Sequence, residues 1–170
     1  MKHLLSRAAV FLTVLTVCGH AQAAEPRLIG NYSDWSAYVF MEGGNKVCYM
    51  ASKPKDSKGD YTRRGDVFAL ITHRPAEGSK NVFSYITGYE YKPGSDVTVK
   101  IDSTNFTLFT QDETAWTPDA DSDTRLTNAI RKGSKMTVTG TSSRGTLTTD
   151  SFGLGGSSAA HEAISKECGI

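Results

Sequence analysis

Val97-Thr98-Val99-Lys100-Ile101-Asp102-Ser103-Thr104-Asn105-Phe106-Thr107-Leu108-Phe109-Thr110 is the stretch on which the fold turns. Val97, Val99 and Ile101 alternate with Thr98 and Lys100. Phe106, Leu108 and Thr110 alternate with Thr107 and Phe109. A period of two sends successive side chains to opposite faces of an extended chain. Residues 102–105 supply the turn between the two runs. The stretch therefore reads as two paired strands with one buried face.

The same grammar extends on both sides. Upstream, residues 35–40 and 46–51 read as a hairpin around Glu42-Gly43-Gly44-Asn45, and residues 66–73 and 82–87 as two further strands. Residues 52–64 are polar and read as a surface loop, and the segment before Trp35 as a linker. Downstream, residues 135–141 and 146–152 flank the turn Ser142-Ser143-Arg144-Gly145. Thr117-Pro118-Asp119 breaks the pattern. Leu126, Ala129 and Ile130 then recur at helical spacing, with Asp121 or Ser122 placed to cap the start and Gly133 the end. A second short helix carries Ala160, Ala163 and Ile164, is capped by Ser157 or Ser158, and ends at Cys168. The expectation is a mainly β chain of about eight strands with one internal and one C-terminal short helix. Short turns between sequential strands favour antiparallel pairing, in a β-sandwich or a partly closed barrel.

The N-terminus predicts export. Lys2 and Arg7 precede an apolar run over residues 8–17, and Ala21-Gln22-Ala23 offers small residues where a signal peptidase reads. The apolar run would span roughly 15 Å as helix, about half a bilayer core, so no transmembrane anchor is expected. Cleavage after Ala23 leaves one domain over residues 24–170, periplasmic or secreted. Lipidation at Cys18 is disfavoured by the bulky Val17. Loss of Lys2 and Arg7 takes two from the 19 basic residues and none from the 18 acidic ones. The near-neutral remainder has no field to draw nucleic acid. Cys18 leaves with the signal. Cys48 and Cys168 remain in an oxidising compartment, where a bridge is the default reading and two buried thiols the alternative.

Chemistry is thinly signalled. Ser52-Lys53-Pro54-Lys55 has the serine-acylase spacing but lies in a loop without companion motifs. Asp119, Asp121 and Asp123 are spaced as in a calcium loop, yet Thr124 and Ile130 stand where Gly and Glu are needed. Gly153–Ser157 lacks the β-α-β setting of a phosphate loop. Arg64-Gly65-Asp66 spells an integrin-read tripeptide at the start of an apolar strand rather than at a loop tip. No catalytic residue, metal site or cofactor is assigned. The candidate binding residues are His73, Arg74, Trp116 and Arg144. Trp116 can serve as a ligand platform or plug the end of a barrel, with burial statistics on the side of the plug.

Lys46-Val47-Cys48-Tyr49-Met50-Ala51-Ser52, Ile71-Thr72-His73-Arg74-Pro75, Ala115-Trp116, Arg131-Lys132-Gly133, Gly140-Thr141-Ser142-Ser143-Arg144-Gly145-Thr146 and Cys168 occur in this order. Together they resemble the invasion-associated locus B family of bacterial exported proteins. That resemblance implies a β-rich domain and a bridge between Cys48 and Cys168. It implies a link to host-cell entry without an assigned enzymatic activity. The expected partner is then a protein of the bacterial envelope or of a host surface. Three alternatives stand beside it: a module for a small ligand or glycan using Tyr85, Tyr89, Tyr91 or Trp116, an enzyme of unrecognised type in which His73 would meet a carboxylate and a hydroxyl, and an enzyme inhibitor presenting the turn at residues 142–145.

Overall fold

The computed structural model describes residues 25–170. The expected signal sequence and Cys18 lie outside them. In chain order the strands are β1 (Arg27–Tyr32), β2 (Trp35–Glu42), β3 (Asn45–Ser52), β4 (Asp56–Lys58), β5 (Phe68–Arg74), β6 (Ser79–Ile86), β7 (Val97–Ile101), β8 (Thr104–Gln111), β9 (Thr114–Trp116), β10 (Lys135–Thr141) and β11 (Leu147–Gly153). Helix α1 (Ala120–Lys132) lies between β9 and β10, and α2 (Ser157–Cys168) closes the chain. All eleven strands join one antiparallel sheet in the order β1-β2-β3-β5-β6-β9-β8-β7-β10-β11-β4, and the sheet is not closed.

The expected strands are present, and three more accompany them. β1 reads as a linker in the sequence because Gly30 and Asn31 interrupt any alternation. β4 is three fully exposed residues of the polar loop, and β9 is equally short. Strands this brief form because neighbours supply the hydrogen bonds, not because their sequence demands it.

Alternation puts Ala37, Val39, Cys48, Met50, Ala69, Ile71, Phe83, Tyr85, Ala115 and Leu108 on the inner face, all buried. Val97, Val99, Ile101, Met136, Val138 and Phe152 bury the inner face of the other half. The sheet coils until these halves meet, with the Tyr85 and Phe152 rings edge to face at 6.2 Å. α1 packs against β6, and α2 lies over β1, β2, β3 and β5. Leu126 and Ile130 of α1 and Ala160 and Ile164 of α2 complete the core.

Gly133 ends α1 and Cys168 ends α2 as expected, but the caps at the helix starts differ. Asp119 caps α1 in place of Asp121 or Ser122, accepting from the Ser122 amide at 2.7 Å, because the helix already begins at Ala120. Gly156 caps α2 at φ 82°, a left-handed conformation that suits glycine. This frees Ser157 and Ser158 to donate to the Ile130 and Arg131 carbonyls at 3.0 and 2.9 Å. The two serines thus satisfy orphan carbonyls at the end of α1 and tie the helices together. Cys168 bonds Cys48 across 6.0 Å between Cα atoms, fastening the end of α2 to β3.

Candidate functional site

Three polar or aromatic arrangements could carry function. The first lies beneath α2. A register shift between Thr72 and Arg74 marks a bulge where β5 meets β6, and Asn81 takes φ 60° there. Its amide donates to His73 Nδ1 at 3.0 Å. His73 must then carry its proton on Nε2, which faces Ser165 Oγ at 3.2 Å. Ser165 Oγ reaches His161 Nδ1 at 3.5 Å, and His161 Nε2 meets Asn81 Oδ1 at 2.8 Å. The loop returns to the residue where it began. The two imidazoles meet edge to face at 5.2 Å.

This arrangement is a poor catalyst. His73 meets a hydroxyl but no carboxylate, and both of its nitrogens are occupied inside the core. Burial lowers its pKa, as does the nearby Lys80 charge. Burial, Arg131 and His73 together hold His161 at about 4. Both rings are neutral near pH 7, and neither has a free nitrogen to take a substrate proton.

The second arrangement centres on Arg64. Gly65 and Gly88 cross in backbone contact, with the Gly65 amide donating to the Gly88 carbonyl at 2.9 Å. Gly88 has φ 71° and no room for a Cβ against Gly65. This crossing turns the Arg64 side chain inward, where it is 5% exposed against a fully buried Asp150. The guanidinium bonds both Asp150 oxygens, at 2.8 and 2.7 Å, and the Thr87 carbonyl and hydroxyl at 2.7 and 2.9 Å. Tyr85 also donates to Asp150. Burial opposes the Arg64 charge, but the Asp150 bonds outweigh it and keep the group firmly protonated. Burial and the Asp150 charge raise the Tyr85 phenol. Arg64 is therefore committed to the core and cannot be presented to an integrin.

Outside this network opens a cleft of about 730 Å³, lined by Tyr61, Arg63, Tyr89, Glu90 and Arg144 among others. Arg144 stands on an exposed turn that is firmly held. The Ser142 amide donates to the Thr146 carbonyl at 2.9 Å, and the Ser143 amide to the Glu90 carbonyl at 2.7 Å.

The third arrangement is the outer face of the sheet. Strand register places Ser36, Ala51, Leu70, Ser84, Trp116 and Phe109 as successive cross-strand neighbours on β2, β3, β5, β6, β9 and β8. Tyr38 stacks on Tyr49 at 5.1 Å beside this row, and Phe40 meets Tyr49 edge to face. A shallow groove of about 580 Å³ runs over Tyr38, Phe40, Tyr49, Phe68 and Leu70 and reaches Arg74. Arg74 pairs with Glu42 and Lys53 with Asp66 at its margins. No described helix lies on this face.

Of the four candidate binding residues, Trp116 and Arg74 share the outer face, Arg144 borders the cleft, and His73 is core. Trp116 does not plug a barrel: it shares a face with Leu70 and Phe109, opposite the buried Ala115. Tyr85 and Tyr91 are buried at 1% and 5% exposure, so neither ring can meet a glycan. The sequence reading missed Arg64 and Asp150. Alternation held the signal, since Thr148, Asp150 and Phe152 share the inward face of β11. An acid at such a position requires a buried partner.

The other motifs resolve into structural roles. Ser52 donates to the Asp34 carbonyl, and Lys55 pairs with Asp34 at 2.6 Å. Asp123 accepts from the Phe83 amide and the Thr117 hydroxyl, and burial raises its pKa. No group of His, Cys, Asp and Glu among the described residues is arranged to hold a metal.

The fold and its surfaces define a β-sheet domain whose terminal helix is clipped to the sheet by a disulfide. The family model described as Invasion associated locus B (IalB) protein matches residues 35–165, and the chain belongs to that family. Its fold is similar to the crystal structure of invasion associated protein B from Bartonella henselae. That likeness has a TM-score of 0.56 and 18% identity, and covers 81% of this chain and 95% of the other. No curated protein matches the chain.

Proposed function

We propose that the chain is an exported, non-enzymatic binding protein of this family. It acts in the periplasm or outside the cell as one domain from Ala24 after loss of the signal. Its partner is a protein of the bacterial envelope or of a host surface, consistent with the family's link to host-cell entry. The observation that carries the reading is the cross-strand row Ala51-Leu70-Ser84-Trp116-Phe109 with the Tyr38–Tyr49 stack beside it. An apolar, aromatic centre with ion pairs at its margins has the anatomy of a protein interface, dry in the middle and charged at the rim. The occupant that fits is a flat protein surface with an apolar centre. The histidine pair and the Arg64–Asp150 pair are closed inside the fold, so neither is free to exchange a proton with a substrate.

The test is a parallel capture from bacterial envelope extract and from host membranes, using the disulfide-bonded protein and the variants Leu70→Gln, Phe109→Ser and Arg144→Ala. A partner held by the wild type and Arg144→Ala, and lost by both outer-face variants, supports the reading. Its source decides between an envelope role and host association. Capture indifferent to the outer-face changes, or sedimentation showing this face occupied by a second copy of the chain, overturns it.

A further inference from the structure

We infer that the cleft between the Arg64 loop and the Ser142–Thr146 turn is a binding site for a short, uncharged oligosaccharide. The site is separate from the outer face and does not depend on it.

The lining is unusual in holding no aliphatic side chain. It consists of Tyr61 and Tyr89, the hydroxyls of Thr62, Ser142, Ser143, Thr146 and Thr148, the ionised groups Asp60, Arg63, Arg64, Glu90 and Arg144, and two glycines. A hydrophobic ligand or an apolar peptide side chain finds only the two tyrosine rings to bury against here, among polar and charged groups. The charges decide the ligand further. Arg64 is neutralised by Asp150. The remaining cations Arg63 and Arg144 face the same cleft as the anions Asp60 and Glu90, and none of the four forms an ion pair among the described residues. Two charges of each sign cancel, so an anionic ligand gains no net attraction. A ligand that donates and accepts along its whole length does. Carboxylates accept from hydroxyl groups and guanidinium groups donate to them, the latter in a planar fork that suits vicinal hydroxyls.

The walls are also preorganised. Tyr61 is 37% exposed, with its ring against Arg64 at 5.5 Å. Tyr89 lies 5.0 Å from the same guanidinium and is held by the Thr148 hydroxyl at 2.7 Å. Arg64, itself locked by Asp150, fixes both rings. The turn carrying Arg144 is tied to the Glu90 carbonyl. One exposed ring, Tyr61, and one half-buried ring, Tyr89, both of fixed position, suit the C–H face of a sugar, and little ordering remains to oppose binding.

The test screens the disulfide-bonded protein on an array of neutral and acidic oligosaccharides, then titrates any neutral sugar retained by calorimetry. Arg144 and Glu90 are exposed, so Arg144→Ala and Glu90→Gln should fold normally, as circular dichroism will check. Each should weaken a neutral oligosaccharide about tenfold or more, the loss of one charged hydrogen bond. Leu70→Gln should leave that affinity unchanged. Three results overturn the inference: no neutral sugar bound at millimolar concentration, binding confined to sulfated or carboxylated chains and abolished by salt, or affinity indifferent to both cleft substitutions.

Discussion

Acid should loosen the seat of α2 before it unfolds the rest of the sheet. The ring His73–Ser165–His161–Asn81 holds only while both imidazoles are neutral. A proton on His73 Nδ1 would face the Asn81 amide, donor against donor, and one on His161 Nδ1 would reverse the bond from Ser165. Lys80 on β6 and Arg131 on α1 add like charge. Burial is the largest cause of the His161 shift, to about 4 from an ordinary 6.5. A folded-state pKa below the unfolded one means that the unfolded chain binds more protons in acid. Stability from this group is complete above pH 6.5, falls as the pH drops, and levels off below about 4. The loss from His161 alone is roughly 2 kcal/mol at pH 5, and His73 adds in the same direction. Urea unfolding at pH 7 and pH 5 measures it, with His161→Gln as the control. Glutamine can still donate to Asn81 but does not titrate. The variant should lose much of the difference between the two pH values. An equal difference in both proteins would refute the reasoning, as would an imidazole shown by NMR to titrate near 6.5.

Other consequences follow from the same contacts. Reducing Cys48–Cys168 opens a loop with a sequence separation of 120 residues; by the chain-entropy argument roughly 4–5 kcal/mol should be lost, seen as a lower denaturation midpoint in reductant. Asp150→Ala strands the Arg64 charge and removes the acceptor of Tyr85. It should cost roughly 3–5 kcal/mol, most of it recovered by combining Arg64→Met with Asp150→Leu, as denaturant titration will show. Ser157→Ala and Ser158→Ala each leave one carbonyl of α1 without its serine donor. Together they should cost about 1–3 kcal/mol and raise hydrogen exchange at the α1–α2 contact above that of β3.

Strand periodicity was legible wherever one face is core and the other is not. Val97 to Leu108 shows it best: Val97, Val99, Ile101 and Leu108 are buried and Phe106 half-buried, while Thr98, Lys100 and Thr107 between them are exposed. Periodicity fails at β1, β4 and β9, where the partner strand rather than the side-chain pattern creates the element. The bridge was legible from the cysteine count and the predicted compartment. The histidine ring was not, because it joins residues 73, 81, 161 and 165 through a bulge that no local pattern encodes. The outer face was hidden for a related reason. Tyr38, Tyr49, Leu70 and Trp116 read as ordinary strand residues, and only the register aligns them.

Why the polar residues divide as they do follows from the cost of burial. Asp150, Asp123, His73 and His161 are drawn inside, and each is satisfied by partners distant in sequence. A buried carboxylate or imidazole without such a partner would use up a large part of the marginal stability of a domain. Once satisfied, these groups give the sheet its unique packing but have no capacity left for a ligand. Groups free to act are therefore those that the fold has positioned but left unpaired. Arg63, Arg144, Asp60 and Glu90 are such groups, set around a cleft whose walls Arg64 holds still. Trp116, Leu70 and Phe109 are their apolar counterpart on the opposite kind of surface, flat and uncovered. A core substitution such as Asp150→Ala should thus weaken both binding activities together, in step with a lowered denaturation midpoint. Glu90→Gln and Leu70→Gln should separate them, each removing one and leaving the other with an unchanged denaturation midpoint. A single surface substitution that removed both without lowering that midpoint would show that the cleft and the outer face are one site.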